Sequence, residues 1–234
     1  MLTLEDIVLQ QGDFRLTASF FCLPKGSVTA VLGPSGGGKS TLLSLIAGYL
    51  APTGGRILWD VTDITAQPPA QRPVAMLFQD HNLFPHLTVA QNVGLGIRPD
   101  LRLTPQDKAR LSSALERVGL AGFEARKPGS LSGGQQGRVA LARVLVQRRP
   151  LILLDEPFAA LGPALKADML DLVASLARET GATLLMVSHD PADARRIAPL
   201  TMLVADGVAH PAQPTAALLD APPRALADYL GRTD

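Results

Sequence analysis

The sequence predicts an α/β protein built around a parallel sheet, and three observations carry that prediction. The aliphatic runs Leu151–Leu154 and Thr183–Val187 lack polar alternation, as strands buried on both faces do. Val28–Leu32 and Val74–Phe78 are further aliphatic runs of strand length. Helical stretches lie between and after these runs, in the order that parallel crossovers need. Composition agrees: of 234 residues 47% are apolar and only 4% aromatic, with 21 Gly and 19 Pro, an aliphatic and turn-rich mix that argues against disorder. The length predicts one large domain, or one core with a smaller lobe inserted.

From the N-terminus, Leu2–Leu9, Arg15–Leu23 and Arg56–Trp59 are short and separated by turn residues, which predicts an antiparallel β lobe. Cys22 is the single cysteine, so no internal disulfide can form. Its place in the run Phe20–Leu23 suggests a small core residue, and the cysteine usage suggests a reducing compartment. Thr104-Pro105-Gln106-Asp107 has an N-cap, a first-position proline and an early acid. Leu111, Leu115 and Val118 then share a helix face, and Gly119 closes it. A Pro- and Ala-rich tail begins at Pro211 and ends in a predicted short helix, Pro223–Leu230.

Lys+Arg is 22 and Asp+Glu is 21, so the net charge is +1 and the broad positive field of a nonspecific nucleic-acid binder is missing. The first residues, MLTLEDIVLQ, show no signal peptide, and nowhere do about 20 apolar residues run together to span a bilayer. Mean hydropathy is nevertheless +0.18, high for a chain with no such span.

Three motifs carry chemistry. Gly33-Pro34-Ser35-Gly36-Gly37-Gly38-Lys39-Ser40, followed by Thr41, fits G-x-x-x-x-G-K-[ST] between a strand and a helical pattern. Glycines let backbone N–H groups close around phosphate oxygens, Lys39 can reach the β- and γ-phosphates, and Ser40 can ligate Mg²⁺. The chain is therefore expected to bind a nucleoside triphosphate. Leu151–Leu154 ends in Asp155 and Glu156, two acids at a strand's C-terminal edge, where open α/β sheets bind ligands. Asp155 is placed to hold Mg²⁺ and Glu156 to polarise an attacking water. Leu131-Ser132-Gly133-Gly134-Gln135 starts a helix with Ser132 as N-cap, a second array of backbone donors suited to an anion. His81, His86 and His210 have no metal-binding spacing and read as surface or loop residues, and Arg195-Arg196 as a solvated helix face. Ser188-His189-Asp190 are contiguous and cannot converge as a catalytic triad.

LSGGQ at Leu131–Gln135, 24 positions before Asp155, resembles the signature of the ABC-transporter ATPase family. Gln79 in MLFQD resembles the Q-loop glutamine, and His189 in MVSHD the H-loop histidine. The likeness covers about residues 2–206. It implies a P-loop ABC-type core with an inserted helical lobe, with core and β lobe at 1–86 and 132–210, helical lobe at 87–131 and a tail at 211–234. It also implies ATP and Mg²⁺ as bound species, with Mg²⁺ held by Ser40, Gln79 and Asp155. Glu156 would be the general base, His189 would sit at the γ-phosphate, and Gln79 would link the site to the transport partner.

In that family two subunits associate head to tail, with ATP between residues 33–41 of one and Ser132–Gln135 of the other. The resemblance further implies a transmembrane permease, contacted by Asn82–Ile97, and indirectly a periplasmic solute-binding protein. The chain would lie on the cytoplasmic face of the inner membrane, with no nucleic acid as partner. The stretch from Pro69 to Gly96 is most similar to the thiamine and thiamine-diphosphate import ATPases. Importers of ferric iron, polyamines or sulfate, or a non-transport ABC ATPase, are the other readings.

Three positions depart from the family pattern. Ala159-Ala160-Leu161-Gly162 stands for S-A-L-D, so an aspartate expected to organise the facing subunit is missing. Asp60-Val61 replaces Asp-Gly at a hairpin, where a β-branched residue tolerates φ > 0 poorly. No Tyr or Trp lies near Gln10–Gly12 to stack on adenine, and Phe14 is the nearest aromatic.

Overall fold

The computed structural model describes residues 1–159 and 161–231. Strands β1 (Leu2–Gln11) and β2 (Phe14–Leu23) form a long hairpin in which Leu2 faces Leu23 and Gln11 faces Phe14. Their inward face changes phase midway. Leu16 and Ala18 are buried, then Phe21 and Leu23. The register between the two strands is kept, but Asp6 takes the left-handed φ of 49° and the register of β1 against its other neighbour, Gly54–Trp59, shifts between Glu5 and Val8. Gly55 faces that irregularity closely: a Cβ there would lie 2.4 Å from the Asp6 carbonyl oxygen. Cys22 is consequently exposed, with Phe20 beside it on the outer face at 59% exposure. This corrects the expectation that Cys22 is a core residue. The alternation of the strand's first half does not continue into its second.

The buried strand β3 (Val28–Leu32) feeds helix α1 (Lys39–Ala47). β4 (Gly54–Trp59) and β5 (Thr62–Asp63) follow as a hairpin. Its left-handed residue is Asp60 (φ 56°), while Val61 is 94% exposed at the tip. The turn thus differs as the Asp-Val pair requires, and Asp60 is held by ion pairs to the N-terminal amine at 2.6 Å and Lys25 at 2.8 Å.

Next come β6 (Val74–Leu77), α2 (Val89–Gly94), α3 (Pro105–Arg117) and α4 (Gly133–Leu145). The helix expected at Thr104 starts with a full capping box between Thr104 and Asp107, and Gly119 follows its end at φ 68°. The last third holds β7 (Leu151–Asp155), α5 (Pro163–Thr180), β8 (Thr183–Val187), α6 (Pro191–Ile197) and β9 (Leu200–Ala205). Two short strands, β10 (Val208–Ala209) and β11 (Gln213–Pro214), and the tail helices α7 (Thr215–Asp220) and α8 (Arg224–Tyr229) complete the chain.

The strands run in the order β5-β4-β1-β2-β10-β9-β3-β8-β7-β6, with β11 beside β9. β9, β3, β8, β7 and β6 are parallel, and β10 joins them to the antiparallel hairpin by pairing Val208 with Thr17. β3, β7 and β8 are buried at every residue, which is why their sequences carry no alternation. One face packs with α1 and the hairpin, the other with α4, α5 and α6.

Arg72 anchors α1 from below and is among the largest fully buried side chains, at 1% exposure. Its Nη1 donates to the carbonyls of Leu45 (2.7 Å) and Ile46 (2.8 Å), Nη2 to Thr65 (2.7 Å) and Nε to Gln67 (2.9 Å). A cation there satisfies the orphan carbonyls at the helix C-terminus and complements its dipole. Gly48, the left-handed C-cap, leaves the space: a Cβ would lie 2.5 Å from Arg72 Nε.

Candidate nucleotide site

Gly33 leaves β3 at φ 147°, and a Cβ there would meet the Val204 carbonyl oxygen at 1.9 Å, so the loop lies directly on β9. Pro34 turns the chain by accepting the Gly37 N–H at 3.2 Å, leaving Ser35 and Gly36 at the exposed tip. Gly38 is the N-cap of α1 at φ 107° with no side-chain cap, so the first-turn N–H groups remain for an anion. Lys39 and Ser40 start the helix and Thr41 follows within its first turn. Lys39 Nζ donates to the carbonyls of Gly33 (2.8 Å) and Pro34 (2.9 Å). Burial pushes its pKa down, opposed by the nearby carboxylates of Glu156 and Asp155.

Asp155 ends β7, and Ser40 Oγ donates to its Oδ1 at 3.0 Å. Burial raises the Asp155 pKa. A hydroxyl beside a buried carboxylate, under a loop that fits phosphates, is a donor set of hard oxygens and fits Mg²⁺. Glu156 has a left-handed φ of 46°, and its N–H donates to Val187 O at 3.3 Å. Such a backbone costs of order 1–3 kcal/mol and is held by the strands on either side. The carboxylate Oε2 lies 3.6 Å from His189 Nδ1, with the His189 side chain 56% exposed.

Gln79 lies two residues beyond Leu77, which pairs with Leu154, so it reaches the same sheet edge as Asp155. It is exposed in a turn. The structure thus brings the phosphate loop, Asp155, Glu156 and His189 together. Ser132–Gln135 stand apart: among the described residues no hydrogen bond joins them to the loop. Ser132 and Gln135 form a capping box, Ser132 and Gly133 are exposed, and a Cβ on Gly133 would meet nothing within 4 Å. Gly134 packs inward, where a Cβ would lie 2.7 Å from Leu161. Phe14 presents its ring to the loop, with Cζ 3.1 Å from the position of a Gly38 Cβ.

Several supporting residues escaped sequence reasoning. Ser188 Oγ donates to Asp193 Oδ2 at 2.5 Å, Lys166 bridges Asp193 (2.7 Å) and Asp190 (2.8 Å), and Tyr229 OH donates to the His189 carbonyl at 2.5 Å. These contacts fix the turn that carries His189. Arg143 on α4 donates to the carbonyls of Asn82 (2.8 Å) and His81 (2.7 Å), tying the Gln79 turn to the Ser132 helix. His81 sits in a loop, as expected, but its ring packs over Gly137, and burial lowers its pKa. Arg195 and Arg196 are exposed and each carries a partner, Asp220 and Asp171. None of these pairings has a local sequence signal, because each partner is brought in by the fold. Of the stretch 159–162, Ala160 lies outside the described residues. Gly162 is the N-cap of α5 with an ordinary φ of −65° and no side-chain cap.

This fold and this edge of loop, acids and histidine define an ATP-hydrolysing cassette. The chain belongs to the ABC transporter family, whose profile matches residues 16–159. Among curated relatives, the thiamine import ATP-binding protein ThiQ of Cereibacter sphaeroides is 62% identical over 231 residues, covering 99% of this chain and 100% of that one. The protein of the same name from a Ruegeria species is 61% identical over 231 residues, covering 99% and 100%, and that of Brucella suis 51% over 233 residues, covering 98% and 95%. Of solved structures, a dimeric bacterial ABC-transporter cassette superposes with a TM-score of 0.82 at 29% identity, over 92% of this chain and 99% of that chain. The ADP conformation of another cassette gives 0.84 at 27% identity, over 99% and 98%.

Proposed function

We propose that the chain is the ATP-hydrolysing subunit of an importer for thiamine or thiamine diphosphate. It would work as a head-to-tail pair against a transmembrane permease at the cytoplasmic face of the inner membrane, served by a periplasmic solute-binding protein. The observation that carries this reading is identity of 50–62% across nearly the whole chain to relatives that bear the thiamine import name. The site's geometry supports the roles of its residues. Gly33–Thr41 would wrap the triphosphate, with the Lys39 ammonium leaving its two carbonyls for the β- and γ-phosphates. Phe14 would flank the nucleotide, and Ser40, Asp155 and Gln79 would hold Mg²⁺, which neutralises developing charge on the phosphates.

Glu156 would accept a proton from the water that attacks the γ-phosphorus, as the bond to ADP breaks, and His189 would align the γ-phosphate. The exposed Ser132–Gln135 helix start fits a triphosphate on a second copy. Closure then adds donors and excludes water together. Reconstitution with the permease should show ATPase activity stimulated by thiamine; absence of stimulation would remove the substrate assignment.

Lys39→Ala should abolish ATP turnover, read as phosphate release by the assembled transporter. Gly162→Asp is sterically free, since a Cβ there meets nothing within 4 Å. It should raise the Hill coefficient for ATP by adding a carboxylate toward the facing subunit, and an unchanged coefficient would refute that role.

A further inference from the structure

A cavity of about 880 Å³ opens between α3, the last turn of α4 and the end of α5, where no proposed step takes place. Among the described residues, four arginines line it, Arg110, Arg117, Arg148 and Arg149, against a single carboxylate, Asp107. Asp107 is already engaged by Arg98 and by the Thr104 cap, and Arg117 by Glu179 at 2.7 Å. Among the described residues, Arg110, Arg148 and Arg149 meet no carboxylate within ion-pair distance. Arg110 Nε is buried without a hydrogen-bond partner. The opposite wall is aliphatic, with Val146, Ile152, Leu176 and Ala182, and among the described residues no aromatic ring lines the cavity.

We propose that this cavity binds a small organic diphosphate and that its occupancy slows ATP hydrolysis. Guanidinium forks match phosphate oxygens in pairs, and several uncompensated arginines call for more than one negative charge. The aliphatic wall adds a place for an organic body, and the volume lies in the range of small-molecule sites. The absence of rings disfavours a stacked base.

Location supplies the control. Pro150, Ile152 and Ala182 mark the N-terminal ends of β7 and β8, whereas Asp155 and His189 lie at their other ends, about 16 Å away. A ligand here cannot touch ATP. It touches the back of α4, however, whose 13 residues run about 20 Å to the Ser132–Gln135 start. A diphosphate bridging α3, α4 and α5 holds that helix at one angle to the sheet. The effect on hydrolysis rests on the function proposed above; the binding does not.

The test is calorimetric titration of the full chain, with its nucleotide site filled by Mg²⁺ and a non-hydrolysable ATP analogue. The probes are inorganic pyrophosphate and thiamine diphosphate. One site is expected, at least tenfold tighter for thiamine diphosphate than for pyrophosphate. Arg110→Ala and Arg149→Ala should each weaken it about tenfold without changing thermal unfolding. Thiamine diphosphate should lower the ATPase rate of the chain alone, and the two variants should resist it. No binding, or binding indifferent to both substitutions, overturns the site. Equal affinity for pyrophosphate overturns the organic component, and binding without slower hydrolysis overturns the control. Loss of thiamine stimulation in the transporter, with diphosphate binding intact, would instead count against the substrate assignment.

Discussion

Replacing Glu156 with Gln should leave ATP binding intact and lower hydrolysis by about 10²-fold or more, the range spanned by a positioned general base. Gln keeps the shape and the hydrogen-bonding reach of Glu but cannot take a proton from water. Binding should persist because the determinants proposed for it lie elsewhere, in the N–H groups of the 33–41 loop and the Lys39 ammonium. The strand partners that impose the left-handed backbone at Glu156 are untouched, so the variant should fold as the parent does. Equilibrium ATP binding paired with single-turnover hydrolysis measures both halves, and near-normal turnover would strip Glu156 of the role.

The second large effect concerns stability. Arg72→Leu should destabilise the protein by about 3–5 kcal/mol, since the carbonyls of Ile46, Thr65 and Gln67 lose their donor inside the fold, Leu45 keeping the Gly48 N–H, and each unsatisfied acceptor costs about 1–3 kcal/mol. The Leu45 and Ile46 carbonyls close the helix that begins with Lys39, so ATP affinity should fall along with stability. Arg72→Lys should recover only part of the loss, because an ammonium donates from one nitrogen, whereas Arg72 reaches its carbonyls from Nε, Nη1 and Nη2. Denaturant midpoints of the two variants check this; a change below about 1 kcal/mol for Arg72→Leu would contradict it.

Arg72 also marks the limit of what the sequence discloses. The phosphate loop, the Asp155-Glu156 pair and the Ser132 helix start are contiguous, and their chemistry follows from residue order and flanking pattern. The bounds of β3 and β8 are legible to the residue for the same reason: a run buried on both faces carries no polar alternation. Cys22 faces outward because β2 changes phase at Ser19-Phe20, across from the left-handed Asp6, and nothing in Phe20–Leu23 marks that change. Arg72, Arg143 and Tyr229 were silent because each acts on a carbonyl, and a carbonyl has no residue identity to detect. The cationic cavity likewise draws on residues 106–182, whose common wall exists only after folding.

One feature of the sheet bears on how the protein is made. β3, which launches the phosphate loop, is flanked by β8 and β9, so both of its hydrogen-bonded neighbours lie beyond residue 182. During synthesis the strand emerges early, apolar but for Thr29, and waits for most of the chain before either edge is covered. The long β1–β2 hairpin, separated from β3 by β10 and β9, can form at once, but the parallel sheet closes only when Leu200–Ala205 has left the ribosome. A chain interrupted before Thr183 would carry every residue of the loop and still lack a rigid place to hold a phosphate. The capacity to hold a phosphate is thus expected to arrive late in synthesis, once both neighbours of β3 are present.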